Sequence, residues 1–214
     1  MKMRTTLFCL LTVLTLMMAA PAMADSVLYD NGPQGPDSDA WTINFGFAVS
    51  DNFTLTQDST VTGFRFYAWL LPGDILESVE VSFTSQELGG TTYFDGVLPF
   101  TQSNCSVNAY GFNVCVESAS FSGPNLAAGT YWVNLQNAMV NTGDPIYWDE
   151  NSGVGCTSPG CPSLASESSV GTIPSESFTI LGTATSGTTP EPGTILLSLS
   201  GIAGVLGISR RRFM

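Results

Sequence analysis

Val79-Glu80-Val81-Ser82-Phe83 is the stretch that decides the fold. In an extended backbone Val79, Val81 and Phe83 fall on one side and Glu80 and Ser82 on the other, the period-two pattern of a strand with one face against a core. The alternation recurs upstream, where Phe64, Phe66, Ala68 and Leu70 interleave with Arg65, Tyr67 and Trp69. Phe53 and Leu55 likewise oppose Thr54 and Thr56. Downstream, Tyr131, Val133 and Leu135 interleave with Trp132, Asn134 and Gln136. Residues 27–29, 43–49, 91–94, 112–116, 146–148 and 177–181 read as further strands. Turn signals divide them, such as Leu71-Pro72-Gly73-Asp74 and Ala127-Ala128-Gly129-Thr130. Apolar residues nowhere recur at the three-and-four spacing of a helix within this region. Nine or ten short strands predict an all-β domain, a two-sheet antiparallel sandwich of jelly-roll-like topology.

The domain spans residues 25–182, enough for one core, and the Thr, Ala, Ser and Gly of 183–189 read as a flexible linker. Residues 1–24 carry Lys2 and Arg4, an apolar run from Leu7 to Met18, and Ala22-Met23-Ala24 before Asp25. That is a secretory signal peptide, with Cys9 inside it. Residues 190–214 hold Pro190-Glu191-Pro192-Gly193, an uncharged stretch over 194–208, and then Arg210-Arg211-Arg212. An apolar segment backed by arginines predicts a transmembrane helix over 194–208 with the basic cluster on the cytoplasmic side. Its fifteen residues reach about 22 Å as a helix, short of a hydrocarbon layer of roughly 30 Å. Gly201, Gly204 and Gly207 would leave one smooth face to admit another membrane helix.

The order Pro190-Glu191-Pro192, apolar segment, Arg210-Arg211-Arg212 resembles the C-terminal sorting signal of PEP-CTERM proteins, which Gram-negative bacteria export and an inner-membrane transpeptidase, exosortase, processes. The resemblance implies an exosortase-like partner, a membrane-held intermediate, and a final place at the cell surface or in the extracellular matrix. Four phrases within the domain look like uncharacterised secreted domains often fused to such tails: Leu28-Tyr29-Asp30-Asn31-Gly32-Pro33, the run from Ala128 to Ala138, Tyr147-Trp148-Asp149-Glu150-Asn151, and Ile173-Pro174-Ser175-Glu176-Ser177-Phe178. They imply a β-sandwich and a surface location, and bring no activity or catalytic residues. The family's association with exopolysaccharide producers implies extracellular polysaccharide as a partner.

Eighteen carboxylates between Asp25 and Glu191 face one guanidinium, Arg65, for a net charge of −17 over that span. Such a surface excludes nucleic acid as a partner and disfavours anionic membranes. With no histidine in the chain, Ser-His-Asp and Cys-His catalysis and imidazole zinc sites are excluded. Lysine is absent from the exported part, which removes Schiff-base chemistry and the phosphate-loop lysine. Paired carboxylates of the glycosidase kind remain available. No catalytic residue, metal or cofactor is expected.

In an oxidising compartment Cys105, Cys115, Cys156 and Cys161 predict disulfides. Of three possible connectivities, Cys105–Cys115 and Cys156–Cys161 are favoured because both segments can turn back tightly.

Three clusters are candidate sites. Trp132, Asn134 and Gln136 set an indole beside amides on the polar side of their strand, a possible glycan platform, unless a second layer covers Trp132. Trp148, Asp149 and Glu150 form an aromatic–acidic cluster, in which Asp149 reads better as a structural hydrogen-bond acceptor than as half of a catalytic pair. Asp30, Asn31, Asp37, Ser38 and Asp39 offer hard oxygen ligands on a loop, yet match no defined calcium loop and read as turn chemistry. Arg65 is expected to pair with a carboxylate. The function these features predict is that of an exported, non-enzymatic surface or matrix protein with a possible exopolysaccharide ligand. The alternatives are a carboxylate-dependent glycoside hydrolase and a passive structural matrix protein.

Overall fold

Fourteen strands are present in the computed structural model, which describes residues 25–35 and 39–185. They are β1 (Ser26–Asp30), β2 (Ala40–Thr42), β3 (Ala48–Leu55), β4 (Ser59–Leu70), β5 (Leu76–Gln86), β6 (Gly89–Pro99) and β7 (Thr101–Val107). Then follow β8 (Asn113–Ser120), β9 (Asn125–Leu126), β10 (Gly129–Val140), β11 (Tyr147–Asp149), β12 (Ala165–Glu167), β13 (Gly171–Ile173) and β14 (Phe178–Ala184). No helix occurs among the described residues. The expected signal peptide, the Pro190-Glu191-Pro192 motif, the span 194–208 and Arg210-Arg211-Arg212 lie outside them.

Every strand pair is antiparallel. One sheet runs β1-β14-β4-β11-β2, with β8 and β9 on the other edge of β4 and β7 beyond β8; the second runs β13-β12-β3-β10-β5-β6. The alternation read from the sequence is what packs them together: Phe64, Phe66, Ala68 and Leu70 of β4 face Phe53 of β3, Val81 and Phe83 of β5, and Val133 and Leu135 of β10 in one core. Tyr29 bridges the sheets, its ring 5.6 Å from Phe178 and 6.2 Å from Phe53. The described residues thus form an all-β sandwich of two antiparallel sheets.

Three local departures from the expected strands have physical causes. Residues 43–47 form a turn between the sheets rather than the start of a strand. Phe47 N–H donates to Asn44 C=O at 3.1 Å, and the central Phe45 and Gly46 have φ of 57° and 89°, both positive as a type I′ turn requires. β14 continues through Thr183 and Ala184, paired with Thr60 and Ser59, two residues into the expected linker. Trp69, on the outward parity of β4, is buried too, stacked 5.6 Å from Tyr110 of the β7–β8 hairpin.

Candidate functional site

Because Tyr131, Val133 and Leu135 turn inward, Trp132, Asn134 and Gln136 stand on the outward face of the six-stranded sheet. β10 is central there, between β3 and β5, so each side chain has a neighbour on either hand: Asn52 and Thr84 for Trp132, Ser50 and Ser82 for Asn134, Ala48 and Glu80 for Gln136. The two-residue tip of the β5–β6 hairpin folds back over this face. Leu88 N–H donates to Asn134 Oδ1 at 3.1 Å. Beneath it lies a groove of about 160 Å³ lined by Glu80, Thr92, Asp95, Asn134 and Gln136 among others.

The three side chains play different parts. Trp132 is half-buried. Asn134 is only 6% exposed, and its amide is spent within the sheet: Oδ1 accepts from Ser50 Oγ at 2.6 Å, and Nδ2 donates to Thr84 Oγ1 at 2.9 Å and Ser82 Oγ at 3.1 Å. Asn134 therefore fixes the groove floor and the hairpin tip. Gln136 Nε2 donates to Glu80 Oε1, and Asn137 Nδ2 to Glu80 Oε2, both at 2.8 Å. Glu80 pairs with Val97 and Asp95 with Ser82, so the two carboxylates are diagonal neighbours across β5 and β6.

Past Gln136 the face continues into a hollow of about 440 Å³ lined by Asn44, Phe45, Asn137, Met139 and Val140. Phe45 is 63% exposed. Phe45 and Asn137 both hold positive φ, rare for a non-glycine residue and an outlier for a bulky one.

A second polar centre closes one end of the sandwich. β11 and β14 lie end to end along the same edge of β4, and Glu150 and Glu176 bridge where they meet. Three of the four phrases singled out in the sequence converge here, from β1, β11 and the approach to β14. Glu176 N–H donates at 2.7 Å to Oδ2 of Asp51, a core-facing residue of β3 in the other sheet. Asn31 Nδ2 donates to Ser175 Oγ at 2.7 Å and Glu176 C=O at 2.6 Å, and Asn31 Oδ1 accepts from Tyr29 Oη at 2.9 Å. Burial pushes the Asp51 carboxyl up to about 8 against the opposing hydrogen bonds of Ser163, Glu176, Asn52 and Ser175. It raises Glu176 well above the carboxylate range, with Asp51, Glu150, Asp149 and Asp39 adding repulsion. Burial also lifts the Tyr29 phenol to about 12.

Asp149 is the acceptor its setting suggested. It takes hydrogen bonds from Trp69 Nε1, from Gly35 N–H at 3.0 Å and from Ser177 Oγ at 3.4 Å, and burial carries its carboxyl to about 7. Trp148 is core, edge-on to Phe64, Phe66 and Phe178, and Glu150 accepts from Trp41 Nε1 at 2.8 Å. Asp30 makes an Asx turn, accepting from Gly32 N–H at 3.0 Å, and Asp39 accepts from Ala40 N–H at 2.9 Å. Asp37 and Ser38 lie outside the described residues. Arg65 departs from expectation: it makes no ion pair among the described residues, and its Nε is buried without a partner. No group of three or more His, Cys, Asp or Glu among those residues is arranged to hold a metal ion.

No protein-family model matches the chain, and no curated protein matches it significantly in sequence. The geometry therefore carries the functional reading.

Both favoured disulfides are formed. Cys105–Cys115 ties β7 to β8, and Cys156–Cys161 closes a loop whose Ser158 Oγ accepts from Asp30 N–H at 2.7 Å. Two cross-links fit an oxidising compartment. Asp51, Glu117 and Glu176 were missed as polar core groups, although the signal was present: each sits at the parity of its core neighbours, Val49 and Phe53, Cys115 and Ala119, and Phe178.

Proposed function

We propose that this chain is an exported, non-enzymatic cell-surface or extracellular-matrix protein, sorted by a PEP-CTERM-type tail. Its jelly-roll-like sandwich binds extracellular polysaccharide along the outward face of the six-stranded sheet. The observation that supports this is the half-buried Trp132 on the same outward face of β10 as the polar groove lined by Gln136, Glu80 and Asp95. An indole ring stacks on sugar faces, Gln136, Glu80 and Asp95 can meet hydroxyls, and exposed Phe45 offers a second ring where the face continues. The buried carboxylates are out of reach of a polymer. A glycan-array measurement on the purified protein, with Trp132→Ala and Gln136→Ala beside it, tests the reading. Retention on at least one polysaccharide, weakened in Trp132→Ala, is expected; no retention on any leaves the passive matrix protein.

One observation favours the hydrolase reading. Glu80 and Asp95 line the same groove as diagonal neighbours, whose backbones lie roughly 7–8 Å apart, so two carboxylates face one space as a glycosidase pair would. The amides of Gln136 and Asn137 on both Glu80 oxygens argue for binding instead. New reducing ends released from a retained polysaccharide, and lost in Asp95→Asn, would reverse that choice. The sorting part has its own test: surface-released protein is expected to lack residues beyond the Pro190-Glu191-Pro192 region by intact mass. A mass that still includes Arg210 to Met214 reduces the tail to an anchor.

A further inference from the structure

We propose that Asp51 and Glu176 form a proton-held clasp between the two sheets: both carboxyls are kept in the acid form, and their ionisation as the medium turns alkaline loosens this end of the sandwich. Asp51 comes from β3 of one sheet and Glu176 from the approach to β14 of the other, and the direct link is Glu176 N–H to Asp51 Oδ2 at 2.7 Å. Ser175 Oγ and Asn31 Nδ2 crowd the same oxygen at 3.3 Å and 3.4 Å. The remaining oxygens, Asp51 Oδ1 and Glu176 Oε1 and Oε2, are buried without any hydrogen-bond partner. For Glu176, stripped of water and of donors, the carboxylate is the costliest form, and for Asp51 burial outweighs the donors on Oδ2, whereas a neutral acid is tolerated at both.

The surroundings supply no other neutraliser. Glu150 and Asp149 face the pair from β11, Asp39 from the approach to β2, and Tyr29 with Asp30 from β1. All are acidic or neutral. The single cation of the described residues, Arg65, belongs to the outward parity of β4, away from Phe64 and Phe66. No group of three or more His, Cys, Asp or Glu among those residues is arranged for a metal ion, and the neutralising species the proposal assigns is the proton. The raised affinity of both carboxyls for protons agrees with this.

What the clasp holds is specific. Asn31 is seated on Ser175 and Glu176, Ser163 N–H on Asn31 Oδ1 at 3.1 Å, Asn151 N–H on Ser175 C=O at 2.6 Å and Gly35 N–H on Glu150 C=O at 3.2 Å. Charging the pair frees the strap from Asn31 to Gly35 and the loop from Asn151 to Ser163, while the β5–β10 centre of the second sheet is untouched.

Hydrogen exchange on the full chain between pH 5 and pH 8 tests this. After correction for intrinsic exchange, protection of the Asn31, Asn151 and Glu176 amides is expected to fall about tenfold per pH unit for each ionising carboxyl. Amides of β5 and β10 keep theirs. Asp51→Asn and Glu176→Gln are each expected to remove one such tenfold factor from the slope. Protection that does not change with pH in the unmodified protein overturns the proposal. So does a rise in protection at pH 7 on adding millimolar calcium, reversed by a chelator, since an ion would then do the protons' work. Should the variants fail to fold, the infrared spectrum of the unmodified protein at pH 6 decides: a carboxylic-acid carbonyl band, shifted in deuterium oxide and more intense than the two acids Glu117 and Asp149 account for, is expected, and a band no stronger than theirs overturns the clasp.

Discussion

Glu117 stands in β8 between Cys115 and Ala119, beside Phe66 of β4, with neither carboxylate oxygen bonded. Burial alone lifts its carboxyl to about 8 from 4.5. A group whose folded value is raised gives its full support below its unfolded value, here about 4.5, and loses it as the pH rises to about 8. Glu117→Gln is therefore expected to raise the melting temperature at pH 8 and to change it little at pH 4.5, by a margin on the order of a few kcal/mol. Equal effects at the two pH values would show that the acid is not the cause. At Trp132 the half-burial divides the outcome differently: Trp132→Ala is expected to weaken polysaccharide retention by about 1–3 kcal/mol, with a small loss of melting temperature. A loss of stability of about 3–5 kcal/mol, the cost of a core aromatic, would make the indole a packing residue. Asn134→Ala, by contrast, is expected to cost about 1–3 kcal/mol of stability through the donors and acceptors it strands. Residue parity was read from sequence at Trp132 and Asn134, whereas the expected strand over 112–116 stopped short of Glu117 in β8. Whether a polar residue at a given parity bonds its neighbours or meets a ligand was not, because that depends on the chains alongside.

At the scale of elements, β3, β4, β5 and β10 were read from clear alternation, and the shorter readings over 27–29, 91–94, 112–116, 146–148 and 177–181 fall on β1, β6, β8, β11 and β14. β7 escaped because Thr-Gln-Ser-Asn-Cys-Ser-Val is exposed almost throughout and carries no apolar alternation for the period-two test. β12 escaped for the opposite reason: all three of its residues are buried, so that alternation is lost, and only its place beside β3 makes it a strand. The residues from Ile43 to Val49 misled because Phe45 and Phe47 look like strand residues, while the positive φ at Phe45 and Gly46 is a property of the turn they make. The β7–β8 hairpin is also where the first disulfide sits, joining paired strands rather than the ends of a free loop. Its loss in Cys105→Ser with Cys115→Ser is expected to cost about 2–3 kcal/mol by the chain-entropy account, read as a shift in the denaturant midpoint. Peptide mapping of the unreduced protein is expected to give Cys105–Cys115 and Cys156–Cys161. A cross-pair between the two segments contradicts the hairpin.

The protein combines a strongly acidic composition with four buried carboxyls whose proton affinity burial raises, and the two respond to pH in the same direction for different reasons. Asp51, Glu117 and Asp149 have folded values of about 8, 8 and 7, and Glu176 lies well above its ordinary range, so each withdraws support as the pH rises through roughly 4 to 8. Surface carboxylates repel one another more as they ionise, which also weakens the compact state. Glu167 runs the other way. Burial raises its affinity for a proton, but hydrogen bonds from Ser169 and Ser168 and from the Ser169 and Val170 amides outweigh that and lower it, so its support is present above about 4.5 and fades as the pH falls. Together these place maximal stability on the acid side of neutrality, near pH 5, with a melting temperature that declines steadily toward pH 8. Salt separates the two causes. A Debye length of about 3 Å at 1 M salt erases repulsion between exposed groups, but leaves buried carboxyls as unsolvated as before. Raising the ionic strength at pH 8 is thus expected to recover only part of the loss, and the remainder is expected to shrink in Glu117→Gln combined with Asp51→Asn, with Asp149 and Glu176 keeping the rest. Complete recovery by salt alone would assign the whole pH dependence to the surface, and the interior acids would then have to be hydrated or paired in solution.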